Sequence, residues 1–281
     1  MAAGLVLVGI GLGGVSNMTM EALSAAKSAD IRKFEGYTAL WSAEHFVELE
    51  KEVGDIDKVM RPDVEEPVEL LNLAKECVVA LLVVGDPLQA TTHVDLQLQA
   101  QDAGIDCKVI HGISITGVVT GAVGLSNYKF GRQTTITYPY RGWVPTSPLE
   151  TIAMNRCQGL HTLVLLDLDP TGEGVGEQCP MQPADAADAV MLMSEKIMEN
   201  IDSWEISDAL WNMEIGAFKE VCSDITNLPV ILCTDMGTDD QSITYLKLKD
   251  LHSAKEGRLH CLIIPSKLTD TEKAALHRWT K

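Results

Sequence analysis

The sequence predicts an α/β protein of two domains, and three observations carry that prediction. Short apolar runs that stop on glycine or proline alternate with stretches in which Ala and Leu recur at helical spacing, the pattern of a parallel sheet with helical crossovers. The chain has 281 residues, room for one large domain or two of ordinary size. After about Gly112 the texture changes, and a run rich in Gly, Val and Thr replaces the regular alternation. The expected division is an N-terminal α/β domain over 1–112 and a C-terminal α/β domain over 113–281, with a ligand cleft between them.

The elements follow in order. Residues 5–9 (LVLVG) form a continuous apolar run closed by glycine, as a strand buried on both faces does. Residues 19–28 read as a helix with Thr19 as N-cap and Glu21 in its first turn. A strand over 31–38 and a helix over 43–53 come next, then a helix over 67–76 with proline at its first position. The strongest strand of the first half is 78–84, which runs straight into Gly85-Asp86-Pro87. A helix over 92–103 and a strand over 107–111 complete this half. In the second half, strands over 134–138 and 161–166 flank a helix over 149–157. The stretch 171–183 reads as a flexible loop, and helices cover 184–201 and 204–224. Strands over 230–234, 243–248 and 259–264 lead to a closing helix over 269–280.

Composition narrows the function classes. Hydrophobic residues make up 46% and charged residues 22%, which is ordinary for a globular protein and excludes a disordered tail or a collagen-like repeat. Against 40 acidic residues stand 22 basic ones, a net charge of −18. Nucleic acid and anionic membrane both demand Lys/Arg fields, so neither is an expected partner. Such a surface fits a salt-adapted host ahead of docking to a basic partner. The seven cysteines form no C-x-x-C pair; they read as buried small hydrophobes in a reducing cytoplasm. No His/Cys grouping suggests metal. The apolar start lacks a basic n-region and breaks on glycines, unlike a signal peptide or a membrane span.

Gly9-Ile10-Gly11-Leu12-Gly13-Gly14 satisfies G-x-G-x-x-G after a strand, which taken alone suggests a dinucleotide site. Two features argue against it: residues 15–18 intervene before the helix, and Glu35 sits inside the second strand rather than ending it. The other reading is a tight strand exit that lets a ligand approach the backbone. The second loop is Gly85-Asp86-Pro87-Leu88-Gln89-Ala90-Thr91-Thr92-His93 (GDPLQATTH). Here Gly and Pro force the turn, and Asp86 stands at the carboxyl end of a parallel strand, where open α/β sheets bind ligands.

This string resembles the diphthine synthase branch of the tetrapyrrole-methylase-like family of S-adenosylmethionine (SAM) methyltransferases. Further segments match in order: VGIGL from Val8, HGISI from His111, YKFG from Tyr128, WVPTS from Trp143, GLHTLVLLD from Gly159 and HCLIIP from His260. The chain departs from the pattern in its glycine-rich loop 169–183 and its longer stretch 201–228. The resemblance implies two α/β domains with SAM in the cleft between them, a homodimer, and no metal. Its SAM contacts fall on Leu12, Asp86, Gln89, Ser114, Ile115, Leu166, Met236 and His260. His93 and His161 read as helix-start and packing residues. The implied acceptor is the amino group of a 3-amino-3-carboxypropyl-histidine in translation elongation factor 2; SAM leaves as S-adenosylhomocysteine (SAH). Displacement at an already activated methyl needs alignment above all, so no nucleophile–base pair is expected and no catalytic residue is assigned. The rival readings are a corrin or uroporphyrinogen methyltransferase of the same fold and a non-catalytic SAM-binding protein.

Overall fold

A computed structural model describes residues 2–203 and 209–280. The chain divides into two compact units. Unit 1 comprises Met1–Val118 with two returning segments, Glu173–Gln178 and Gly237–Asp239; unit 2 is the remainder. The sequence places the junction at 112, whereas the units part after Val118.

Unit 1 is built on a parallel sheet of order β3-β2-β4-β1-β5. Its strands are β1 (Gly4–Gly9), β2 (Ile31–Glu35), β3 (Asp57–Val59), β4 (Val78–Val83) and β5 (Cys107–Ile110). The helices are α1 (Met20–Ser28), α2 (Ala43–Val53), α3 (Arg61–Glu65), α4 (Val68–Glu76) and α5 (His93–Asp102). Alternation along each strand divides the core into two layers. Val6, Val8, Ala80 and Leu82 pack with Ala22, Ala26 and Leu49 of α1 and α2. Leu5, Leu7, Leu81 and Val83 pack with Leu70 of α4 and Leu96 of α5. Covering both faces requires apolar side chains on both, which is why β1 and β4 read as unbroken apolar runs.

Unit 2 carries a mixed sheet of order β6-β7-β10-β8-β9, in which only the β6–β7 pair is parallel. Its strands are β6 (Thr134–Ile136), β7 (Thr162–Leu166), β8 (Pro229–Thr234), β9 (Ser242–Lys247) and β10 (His260–Ile264). α6 (Ile115–Ala122) spans the junction. α7 (Ser147–Cys157), α8 (Pro183–Asn200), α9 (Ala209–Ser223) and α10 (Asp270–His277) follow. Ile152, Val164, Val190, Leu232 and Leu262 share one core on a single face of the sheet.

Most predicted elements are present, with three differences. β3 and α3 are absent from the prediction because three and five residues carry no measurable period. α6 is absent from it because its Gly-, Val- and Thr-rich run lacks helical composition. Pro67 precedes α4 as its N-cap residue rather than opening it. The predicted helix over 204–224 is seen from Ala209; residues 204–208 lie outside the described residues. The cysteine expectation is also corrected. Cys222, Cys233 and Cys261 are buried, Cys77 and Cys107 are half-buried, and Cys157 and Cys179 are exposed, at a helix end and in a loop. Among the described residues no helix is long and apolar enough to cross a membrane.

Candidate functional site

The strand order creates a binding position. The connection after β1 travels to β2 on one side, and the connection after β4 travels to β5 on the other, crossing β1. Crossovers that leave adjacent strands in opposite directions open a crevice at their carboxyl ends, where doubly wound sheets take ligands. The loops that emerge there are the glycine loop after β1 and the GDPLQATTH loop after β4.

Backbone, not side chains, joins these loops. Gly11 and Gly85 exchange hydrogen bonds, 2.9 Å from Gly85 N–H to Gly11 O and 3.3 Å in reverse. Gly112, at the exit of β5, presses on Gly85 and Gly9: a Cβ there would lie 2.1 Å from Gly85 O and 2.8 Å from Gly9 O. Gly13 is equally constrained, since a Cβ would meet Gly237 O at 1.8 Å. The glycine motif is therefore a packing device, which accounts for its failure as a dinucleotide fingerprint. Glu35 does end β2, against the expectation that it lies inside the strand. Yet its carboxylate is fully buried and bonded to Thr38, so it cannot serve a ribose.

Asp86 is 6% exposed, and both its oxygens are engaged. Oδ1 accepts the Leu88 N–H at 2.9 Å; Oδ2 accepts His111 Nδ1–H at 2.8 Å and the Gly112 N–H at 3.2 Å. The carboxylate thus fastens the β4 loop to the exit of β5. Gln89 is exposed and accepts from the Thr116 hydroxyl at 3.3 Å, which itself lies 2.9 Å from Ser114 Oγ. Ser114 also caps α6: its Oγ accepts the Thr116 N–H at 3.3 Å and its carbonyl that of Val118 at 3.1 Å. Leu12, Ser114 and Ile115 are half-buried. Unit 1 thus carries Leu12, Asp86, Gln89, Ser114 and Ile115, and hydrogen bonds join Asp86 to His111 and Gly112 and link Gln89 with Ser114 through Thr116; His111, Gly112 and Thr116 are residues that sequence reasoning did not single out.

Leu166, Met236 and His260 belong to unit 2 and gather at one end of its sheet. β7 ends at Leu166, β10 begins at His260, and Met236 stands two residues past the end of β8. His260 is buried with both ring nitrogens bonded, Nδ1 to Thr234 Oγ1 at 3.0 Å and Nε2 to Gln182 Oε1 at 3.2 Å. The amide oxygen only accepts, so Nε2 carries the proton and the Thr234 hydroxyl donates to Nδ1. Burial lowers the pKa of this ring, which keeps it neutral at pH 7. Its side chain therefore holds this end of the sheet together.

The other family-like motifs in unit 2 converge on a buried carboxylate. Glu272 accepts from Lys129 Nζ at 2.7 Å, His161 Nε2 at 3.1 Å, the Ser126 N–H at 3.0 Å and the Thr269 N–H at 2.8 Å. His161 Nδ1 accepts the Ser266 N–H at 3.0 Å, which fixes the proton on Nε2. Burial alone would raise the pKa of Glu272, but these donors outweigh it and hold the carboxyl well below the usual range. Gly131 packs on Asn155, whose Oδ1 would lie 2.3 Å from a Cβ there. Lys129, Phe130 and Gly131 of the YKFG motif and His161 of HTLVLL are thus structural, in keeping with the packing role read for His161, while Tyr128 is exposed.

The unit 1 loops suit a cofactor such as SAM. Above Gly85 a Cβ would meet only Ser114 Cα, at 4.0 Å, which leaves a ledge without side chains. Beside it stand Ser114, whose hydroxyl opens α6, and the Gly11 backbone. Such a set can take a flat heterocycle and hydroxyl groups by backbone hydrogen bonds and apolar contact.

Comparisons with known proteins agree with this arrangement. The family model for tetrapyrrole (corrin/porphyrin) methylases matches residues 4–252. A diphthine synthase of Methanospirillum hungatei is 33% identical over 275 residues, 97% of this chain and 96% of that protein. That of Methanocaldococcus jannaschii is 32% identical, with 97% of each covered. Among solved structures, a diphthine synthase crystal structure superposes with a TM-score of 0.78 at 27% identity, covering 98% of this chain and 95% of that one. A conserved hypothetical protein of Aeropyrum pernix K1 superposes with a TM-score of 0.80 at 30% identity, covering 99% and 89%.

Proposed function

The chain belongs to the tetrapyrrole methylase family, in its diphthine synthase branch, and on that premise we propose that it is the methyltransferase that makes diphthine in diphthamide biosynthesis. Its acceptor is the amino group of the 3-amino-3-carboxypropyl-histidine of translation elongation factor 2, and its methyl donor is SAM. The observation that carries this reading is end-to-end similarity to diphthine synthases, combined with the two interlocked loops at the switch point of unit 1.

When bound, SAM supplies a methyl group on a sulfonium, already activated for displacement. The residues of this chain have to hold and align. Asp86 and Gly112 set the path of the β4 loop, and Ser114 presents its hydroxyl at the start of α6. We assign the cofactor contacts to Leu12, Asp86, Gln89, Ser114 and Ile115 in unit 1 and to Leu166, Met236 and His260 in unit 2. Because the Asp86 carboxylate is spent on the loop, its contribution is to the loop backbone, and the same holds for His260 at its sheet end. The resemblance further implies a homodimer acting in the cytoplasm, and sedimentation of the purified protein tests the first.

The test is incubation with methyl-labelled SAM and elongation factor 2 that carries the unmethylated precursor. Label on the factor is expected. Label on a tetrapyrrole instead, or on neither, would contradict the reading.

A further inference from the structure

Unit 1 holds a second set of polar groups that the cofactor loops do not use. They follow the carboxyl ends of β2, β3 and β4. Tyr37, two residues past β2, is buried, and its hydroxyl has no hydrogen-bond partner. Arg61 follows β3 and lays its guanidinium over the Tyr37 ring, with Cζ 5.1 Å from the ring centre. Its Nη1 pairs with Glu65 at 3.1 Å, while its Nε is buried without a partner.

His93, the last residue of the GDPLQATTH string, opens α5 and is 1% exposed. Its Nδ1 lies 2.9 Å from Pro87 O. A carbonyl can only accept, so Nδ1 carries the proton and Nε2 presents a bare lone pair. That Nε2 is buried and has no donor. Burial lowers the pKa of the ring, and the lone pair is therefore kept at neutral pH.

These groups share neighbours. The Glu65 charge acts on both the Tyr37 hydroxyl and the His93 ring, and Glu35 acts on Tyr37 from the end of β2. The glycine-rich loop also reaches this place. Gly174 O accepts the Arg61 N–H at 3.2 Å, and a Cβ on Gly174 would lie 2.3 Å from Arg61 Nε.

Buried polar atoms are nearly always satisfied in native proteins, and one left bare loses its hydration with nothing in return. Three such atoms, on residues linked through the Arg61–Tyr37 stack and the shared Glu65 charge, call for a polar occupant, and their chemistry describes it. Arg61 Nε–H and the Tyr37 O–H can donate, beside a positive charge, and suit a carboxylate. His93 Nε2 can only accept, and suits an N–H. A carboxylate and an amine on one carbon make an α-amino carboxylate.

We propose that Tyr37, Arg61 and His93 form the subsite for the α-amino carboxylate end of the acceptor side chain, with Arg61 and Tyr37 on the carboxylate and His93 Nε2 receiving an amine N–H. The assignment of the occupant to the acceptor rests on the function proposed above. Through Pro87 O, His93 is tied to the loop assigned to the cofactor, so one loop places both the amine and the donor. The methionine end of SAM has the same chemistry, and the experiment separates the two sources.

Tyr37→Phe removes only the unpartnered hydroxyl and keeps the stack on Arg61; Arg61→Met removes the charge and keeps most of the volume. Each variant is measured for SAH affinity by calorimetry and for KM and kcat on the precursor form of elongation factor 2. A KM raised about tenfold, with SAH affinity unchanged and the thermal midpoint of Tyr37→Phe not lowered, is expected. Weaker SAH binding would assign the subsite to the donor and overturn the proposal, as would an unchanged KM in both variants. A binding readout stands apart from turnover: imidazole 15N NMR of the wild-type protein titrated with L-2-aminobutanoate. The His93 Nε2 signal is expected to move toward that of a hydrogen-bonded nitrogen, and to stay fixed in Arg61→Met. No movement in the wild type overturns the subsite. Movement without methyl transfer to the elongation factor would overturn only the function on which the assignment of the occupant rests.

Discussion

At the residue scale, two carboxylates of opposite character dominate. Burial pushes the Glu35 carboxyl up to about 7, against the opposing pull of Thr38 and Arg61. A carboxyl raised in the folded state favours folding at low pH and loses that contribution as pH rises through the folded value. Glu35→Gln should therefore remove a decline in stability between about pH 4.5 and 7, on the order of 3 kcal/mol, read from urea midpoints across that range. Glu272 has the opposite sign. Its carboxyl is depressed, so its contribution is present above its unfolded value and lost as pH falls through the folded one. Glu272→Gln leaves Lys129 facing a neutral group inside unit 2 and should cost about 3 kcal/mol at pH 7, with a smaller cost in acid. Neither role is visible in sequence. A glutamate at a strand end and another in a first helical turn look like ordinary solvated residues until the chain buries them. His93 shows the same limit: its place at a helix start is legible, but the bare Nε2 is not.

At the element scale, legibility followed period and punctuation. α1 was readable from Thr19, whose hydroxyl does accept the Ala22 N–H at 3.1 Å. Thr19→Ala should cost about 1 kcal/mol in thermal unfolding. β1 and β4 were readable as unbroken apolar runs because both faces of the sheet are covered. The glycine motif was legible as a turn but not as a lock, since the approach of Gly112 to Gly85 joins segments far apart in sequence. Gly112→Ala would drive a methyl group into Gly85 O, backbone against backbone, and force the β5 exit from the β4 loop. We expect at least a tenfold loss in SAM affinity, with about 1–3 kcal/mol of stability, by calorimetry and melting. Unchanged affinity would separate the loops from the cofactor site.

At the scale of the whole molecule, the net charge of −18 bears on stability more than on partner choice. Like charges repel in the compact state, and salt screens them. The thermal midpoint should rise between about 0.1 and 1 M NaCl; a midpoint that falls would contradict a surface limited by self-repulsion. The two-domain α/β class, the glycine and GDPLQATTH loops and the family were all legible from the sequence, because they rest on local pattern. The pairing of motifs through Glu272 and the stacking of Arg61 on Tyr37 were not, because each depends on contacts across more than twenty residues of chain. The central claim is methyl transfer to the modified histidine of elongation factor 2. Mass spectrometry of that factor after incubation with the protein and SAM tests it most directly. Mass increments of one methyl group or more on the precursor side chain are predicted, and an unshifted side chain with methylation of a tetrapyrrole would contradict the account.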